Sequence, residues 1–148
     1  IKDLRKLLLP LCSIVTPNIP EAEVLTGYSI SNKEQMIKAA EKIISMGAKN
    51  VLLKGGHLKN KMIFDILVSK RGTKIFPKRK IKTRHTHGTG CTLSSALATC
   101  LSQKKNMHES CKISLKYVDM AINTAPGYGK GFGPLNHLVS FNIKNINA

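Results

Sequence analysis

Apolar residues recur along this chain with the spacing of a helix in some segments and in short unbroken runs, typical of buried strands, in others. The strongest helical pattern spans residues 32–46, where Ser31 and Glu34 form a capping-box pattern and Gly47 follows as a C-terminal cap. One face of this predicted helix carries Met36, Ile37, Ala40, Ile43 and Ile44. The pattern therefore predicts a helix that packs one side against a core.

Helical spacing predicts two more long helices in the second half of the chain, over residues 91–103 and 108–123. Their predicted inward-facing residues are Leu93, Leu97, Cys100 and Leu101 in the first, and Ile113, Tyr117, Met120 and Ala121 in the second. Residues 1–9 predict the last turns of a helix that Pro10 ends, and residues 21–27 predict a short helix that a glycine stops. The first of these carries Leu4, Leu7 and Leu8 on one face.

Four short segments predict strands. Residues 11–16 and 50–54 are apolar runs typical of buried strands, and residues 61–68 and 73–77 predict a hairpin that turns at residues 70–72. Strand, helix and strand follow one another in the order that a parallel sheet requires. We therefore expect an α/β fold in which helices cover both faces of a mostly parallel sheet.

Length and composition favour one folded domain, since the chain has 148 residues of which 42% are hydrophobic. The sequence contains no apolar run of about 18 residues and no signal-peptide cleavage site, so we expect no membrane segment. No CxxC pair or metal-type spacing joins the four cysteines, which are Cys12, Cys91, Cys100 and Cys111. We therefore expect a cytoplasmic protein with reduced thiols and without a direct metal site.

The formal net charge of +16 raises nucleic acid as a partner. The charge is spread along the chain, however, and twenty lysines against four arginines are also expected from an A- and T-rich gene. The densest basic run, residues 78–84, lacks the interleaved aromatic residues that stack on bases. The sequence thus gives little support to a nucleic-acid partner.

Three unusual segments follow predicted strands, namely residues 16–21, 54–57 and 88–91. Ligands of open α/β sheets bind beyond the carboxyl ends of the strands, so the sequence predicts a site where these segments converge. Gly88 and Gly90 would let the backbone direct its free amides at one point at the start of a helix, where an anion is the expected occupant. Between these two glycines lies Thr89, and the amide of Cys91 completes the turn.

Each chemical group of this predicted site also has a structural interpretation. Cys91 could act as an acid–base group or nucleophile whose thiolate the helix stabilises, or it could pack as a small residue. Lys54 could reach a phosphate over Gly55 and Gly56, or it could lie in solvent. Asn18 and Glu21 could share a hydrated magnesium ion, or Asn18 could cap the helix that Glu21 enters. Together these groups match phosphoryl transfer, although neither GxxxxGK[ST] nor GxGxxG is present.

Four segments in this order, TPNIPEAEVLTG, VLLKGGH, THGTGCTLSSALA and GKGFGPLNHL, closely resemble the carboxyl-terminal half of hydroxymethylpyrimidine and hydroxymethylpyrimidine phosphate kinases. These are thiamine-biosynthesis enzymes of the ribokinase superfamily. The resemblance implies a ribokinase-like three-layer sandwich that is incomplete at its amino terminus. Residues 1–148 would then be the nucleotide-binding part of a single domain, and the isolated chain would not be autonomous.

The resemblance also implies roles for single residues, with ATP and Mg²⁺ as cofactors. Cys91 would be the general base that takes the proton of the substrate, and the amides from Gly88 to Cys91 would hold the transferring phosphoryl group. Lys54 matches a lysine near the ATP phosphates, and Asn18 and Glu21 match an NxxE motif for magnesium and phosphate. His85 replaces a small polar residue such as asparagine.

Several alternatives remain open at this point. The chain could be a cysteine-type pyridoxal kinase, a basic nucleic-acid-binding module that retains the kinase fold, or an inactive remnant. A homodimer is also left open. The GYGKGFGP loop could contact adenine, or it could pack near the last helix.

Overall fold

The computed structural model describes residues 1–56 and 62–139, and these divide into two compact units, one up to Lys80 and one from Ile81 onward. The first unit contains helices α1 (Ile19–Thr26) and α2 (Lys33–Ser45) and strands β1 (Asn50–Leu53), β2 (Met62–Ser69) and β3 (Gly72–Arg79). The second contains helices α3 (Thr89–Ser102) and α4 (Met107–Asn123). Two predicted positions, His57 and Lys61, lie outside the described residues.

Helix α1 confirms the predicted short helix, and its ends follow from its sequence. Asn18 caps the amino terminus, and Gly27 ends the helix with a φ of 77°, a left-handed conformation that glycine adopts without steric cost. Ile19 and Ala22 are buried on the inner face. Helix α1 thus begins three positions after residue 16, where the first predicted strand ends.

Helix α2 confirms the strongest periodic segment but not its predicted cap. The side chain of Asn32, not that of Ser31, accepts the hydrogen bond from the N–H of Gln35, at 2.9 Å. Ser31 instead donates its own N–H and hydroxyl to Oε1 of Gln35. The buried residues of this helix are Met36, Ala39, Ala40 and Ile43.

The three strands form one antiparallel sheet in the order β1-β2-β3. The predicted hairpin is confirmed, because Ser69 pairs with Gly72 across a tight turn. Strand β2 is central and has five buried residues, whereas β3 is mostly exposed and carries Pro77, as an edge strand can.

Residues 11–16 do not form a regular strand, although the predicted parallel pairing occurs locally. Val15 pairs in parallel with Val51 through two backbone hydrogen bonds, of 3.0 and 2.9 Å, and Asn18 pairs in parallel with Lys54. Strand direction thus differs from the expectation of a mostly parallel sheet, since β1, β2 and β3 pair antiparallel. The α/β character is as predicted, with α2 packed against β1 and β2.

The amino-terminal segment is helical, as predicted, and continues one residue beyond Pro10. It consists of a π-helical turn over Leu4–Leu8 and a 3₁₀ turn over Leu9–Leu11. Leu9 is buried, whereas the predicted apolar face is exposed. The exposed leucines of this segment are Leu4, Leu7, Leu8 and Leu11.

In the second unit, α3 and α4 pack against each other. Helix α3 buries Leu93, Leu97 and Cys100, as predicted, whereas Leu101 is only half-buried. The face of α4 differs from the prediction, because Ile113, Tyr117 and Met120 are only half-buried. The buried residues of α4 are Ser110, Cys111, Ser114, Leu115, Val118 and Ala121. Small polar residues thus occupy part of the interface, and a pattern of large apolar residues does not reveal them.

Candidate functional site

Asn18 and Glu21 form a reciprocal capping box at the start of α1. Oδ1 of Asn18 accepts the N–H of Glu21 at 2.8 Å, and Oε2 of Glu21 accepts the N–H of Asn18 at 2.7 Å. The structural interpretation of this pair therefore holds. The side chain of Glu21 remains exposed, so the cap leaves its second carboxylate oxygen accessible.

Lys54 lies at the carboxyl end of β1, next to this cap. Its N–H donates to the carbonyl of Pro17 at 2.9 Å, and Lys54 and Asn18 pair across the parallel bridge. The structure therefore brings Asn18, Glu21 and Lys54 together at one end of the first unit. Lys54 is half-buried, so part of its side chain reaches the surface.

Gly55 follows Lys54 and is packed tightly against β2. A Cβ atom at this position would overlap the carbonyl oxygen of Phe64. Gly56, in contrast, has open space around the position of a Cβ atom. The glycine after Lys54 is thus required by packing, and the next one leaves room above the backbone.

Asp65 is a residue that the sequence analysis missed. It is 2% exposed in β2, accepts the N–H of Gly55 at 2.9 Å and pairs through Oδ2 with Nζ of Lys78 at 2.9 Å. Asp65 therefore fixes the backbone directly after Lys54. The available signal was a single carboxylate within the otherwise apolar run of β2.

Gly88, Thr89, Gly90 and Cys91 form the start of α3 in the second unit. Gly88 is the N-cap residue, with a φ of 83°, and among the described residues no side chain caps this helix end. The first N–H groups of a helix lack partners within it, which favours an anion there, and the N–H of Thr89 makes only a long contact of 3.4 Å, with the carbonyl of Thr86. Cys91 lies in this first turn with an exposed thiol.

Thr92, one turn into α3, connects the helix start to the GPLNH segment. Its hydroxyl donates to the carbonyl of Gly88 at 2.8 Å and lies 3.0 Å from Nε2 of His137. Sequence reasoning found both motifs but no contact between them. Thr92 and His137 are 45 positions apart in the sequence, so patterns of neighbouring residues do not predict their contact.

The glycine-rich loop over residues 127–134 packs on the segment that precedes α3. Arg84 donates to the carbonyls of Gly129 and Lys130 at 3.3 and 3.4 Å, and His87 pairs with Pro134. The ring of His85 lies so close to Gly133 that a Cβ atom there would overlap it. These contacts give the loop a packing role, and they do not test the alternative role in adenine binding.

Neither a metal cluster nor a membrane-spanning helix is found where the structure describes the chain. Over residues 1–56 and 62–139, no three His, Cys, Asp or Glu side chains are grouped so that they could hold a metal ion. Over the same ranges, every helix is too short or too polar to cross a bilayer.

Comparison with known proteins decides the family. The family model described as phosphomethylpyrimidine kinase matches residues 1–136. The chain belongs to the phosphomethylpyrimidine kinase family. Within this family, the chain is 40% identical to the hydroxymethylpyrimidine/phosphomethylpyrimidine kinase of Staphylococcus aureus (strain MRSA252), over 92% of this chain and 50% of that protein.

Two further comparisons extend this family assignment. The chain is 45% identical to the thiamine biosynthesis bifunctional protein ThiED of Geobacter sulfurreducens, over 93% of this chain and 28% of that protein. Its fold matches the pyridoxal kinase from Staphylococcus aureus in complex with AMP-PCP and pyridoxal, with a TM-score of 0.90 and 29% identity over 96% of this chain and 54% of the other. The chain thus spans half or less of the length of these two curated relatives. The structural match confirms the ribokinase-like fold expected from the sequence.

Proposed function

We propose that this chain is the nucleotide-binding part of a kinase that transfers phosphate from ATP to hydroxymethylpyrimidine and to its monophosphate, in thiamine biosynthesis. The observation that carries the proposal is the family match over residues 1–136. The four free cysteines of the described residues are consistent with a reducing cytoplasmic location, which is part of the proposal.

The start of α3 is assigned the transferring phosphoryl group. Its uncapped amides and the positive end of the helix dipole both favour a negative charge. Cys91 is assigned the role of general base, since its thiol is exposed in the same turn. A thiolate there would accept the proton of the substrate hydroxyl or phosphate as the oxygen attacks phosphorus.

The first unit is assigned the remaining phosphate contacts. Lys54 would place its ammonium against the ATP phosphates, and the open space over Gly56 leaves room for them. Glu21 would offer its second carboxylate oxygen, directly or through water, to a magnesium ion, and Asn18 would hold Glu21 in place. Magnesium would neutralise charge on the phosphates.

Pyridoxal is the second candidate substrate, because the chain resembles the pyridoxal kinase of Staphylococcus aureus over 96% of its length. Both candidates carry a hydroxymethyl group on a heteroaromatic ring, so the same phosphate-side residues would serve either. The decision between them therefore needs a substrate test.

The test is a kinase assay on the full-length product of the gene that encodes this chain. ATP consumption is measured with hydroxymethylpyrimidine, its monophosphate or pyridoxal as acceptor, and the phosphorylated products are identified by mass spectrometry. We expect kcat/KM to be highest for the two pyrimidines. A higher kcat/KM for pyridoxal would favour the second candidate, and no transfer to any of the three would refute the proposed function.

A further inference from the structure

His137, in the GPLNH segment, is held in place by α4. Leu135 is 4% exposed, and the N–H of Asn136 donates to the carbonyl of Ala121 at 3.0 Å. The hydroxyl of Tyr117 donates to the carbonyl of His137 itself at 2.9 Å. Hydrogen bonds to the backbone of Asn136 and of His137 itself thus fix the position from which the imidazole extends.

The hydrogen bonds of Thr92 determine which atom donates to which. A threonine hydroxyl has one proton, and that of Thr92 is directed to the carbonyl of Gly88 at 2.8 Å. A hydroxyl that donates to Gly88 offers only the lone pairs of its oxygen to Nε2 of His137, which lies 3.0 Å away. This arrangement requires a proton on Nε2 of His137, which would then be the donor.

The hydrogen bonds from His137 to Thr92 and from Thr92 to Gly88 form a relay. The relay ends at Gly88, which shapes the turn at the start of α3. The Gly88 carbonyl accepts both the N–H and the hydroxyl of Thr92, at 2.9 and 2.8 Å. Because a peptide unit is planar, the direction of this carbonyl also sets the direction of the Thr89 N–H. That N–H has only a long contact of its own, 3.4 Å to the carbonyl of Thr86.

We propose that His137 is a positioning residue that acts through Thr92 to orient the Gly88–Thr89 peptide at the start of α3. This inference rests on the proposed function, in which that turn holds the transferring phosphoryl group. The glycine at the N-cap gives the turn the left-handed conformation it needs, but has no side chain to hold it. The hydrogen bond of Thr92 with His137, which lies outside α3, holds the turn in place of such a side chain.

The hydrogen bond can be tested without any activity. Nitrogen NMR on the full-length protein, at a pH of about 8.5, reports which ring nitrogen of His137 carries the proton. We expect a protonated Nε2 in the wild type and a loss of this preference in Thr92→Val. Thr99→Val is the matched control, because Thr99 makes the same bond to the carbonyl four residues earlier, at 2.9 Å, on the same helix. A wild-type His137 protonated at Nδ1 would overturn the proposal.

The positioning role is tested by kinetics with the acceptor substrate of the wild type. We expect His137→Ala to lower kcat about tenfold, a factor close to the loss of one hydrogen bond, with the KM of the acceptor unchanged. His137→Gln, which retains an N–H donor, should recover part of the rate. In a Thr92→Val background, His137→Ala should have little further effect, because both variants break the same relay.

The possible outcomes separate this inference from the proposed function. An unchanged kcat in His137→Ala, or full additivity with Thr92→Val, would refute the positioning role. If the wild type transfers no phosphate, the proposed function fails and the role in transfer fails with it, while the NMR result still decides the hydrogen bond. Thermal unfolding identifies a variant that fails to fold, and in that case His137→Gln alone decides through its kcat and KM.

Discussion

At the residue scale, Asp65 shows how one buried carboxylate can organise a turn. Its two oxygens hold the amide of Gly55 and the ammonium of Lys78, which places the backbone just after Lys54. Apolar patterning alone predicts β2 but not this role, because the pattern treats a polar residue in a strand as an interruption. Only the pairing of β2 with its two neighbours shows what the carboxylate binds.

Replacement of Asp65 by alanine should destabilise the protein strongly. The change removes the shared acceptor and leaves the buried Gly55 amide without it, and such losses cost about 3 kcal/mol. The free energy of unfolding is measured by urea titration with circular dichroism. Glu109→Ala is the matched control, since Glu109 pairs with Lys105 at 3.8 Å on an exposed surface, where a loss of about 0.5 kcal/mol is expected. Equal losses in the two variants would contradict the account of Asp65.

At the element scale, local signals in the sequence predicted helices and turns better than strand pairing. Gly27 and the turn at residues 70–72 ended their elements as expected, because these signals depend on a few neighbouring residues. The cap of α2 moved from Ser31 to Asn32, since two good capping residues stand side by side. Residues 11–16 have the composition of a strand, yet only single bridges form, because a strand also needs partners along its length.

The interface between α3 and α4 gives a pH-dependent prediction. Burial, and secondarily the neighbouring Cys100, raises the pKa of Cys111 to about 12. An unfolded cysteine has a pKa of about 8.5, so between these values the unfolded state releases the thiol proton and the folded state keeps it. The unfolded state then binds fewer protons, and the free energy of unfolding falls as pH rises, by up to about 1.4 kcal/mol per pH unit.

The variant Cys111→Ala should lack this alkaline loss. Urea titrations between about pH 9 and pH 11 compare its free energy of unfolding with that of the wild type. The control Cys12→Ala retains Cys111 and should follow the wild-type slope. Parallel curves for the wild type and Cys111→Ala would show that the buried thiol does not contribute.

At the scale of the whole molecule, the sequence identified the candidate residues of the site in two separate regions. Asn18, Glu21 and Lys54 lie together in the first unit, and the turn from Gly88 to Cys91 lies in the second. The motifs identified these residues because each motif is only a few residues long and contains glycine or proline. The contact of Thr92 with His137 depends on how α4 returns the chain to α3, which short motifs do not encode.

In the proposed function, Cys91 removes the proton of the substrate while the start of α3 holds the phosphoryl group. The most direct test is the single-turnover rate of phosphate transfer from ATP to hydroxymethylpyrimidine in the full-length protein, with Cys91→Ala compared with Cys12→Ala. General-base catalysis contributes about 10²- to 10⁴-fold, so we predict a loss of that size in Cys91→Ala and a wild-type rate in Cys12→Ala. A wild-type rate in Cys91→Ala would contradict the assignment.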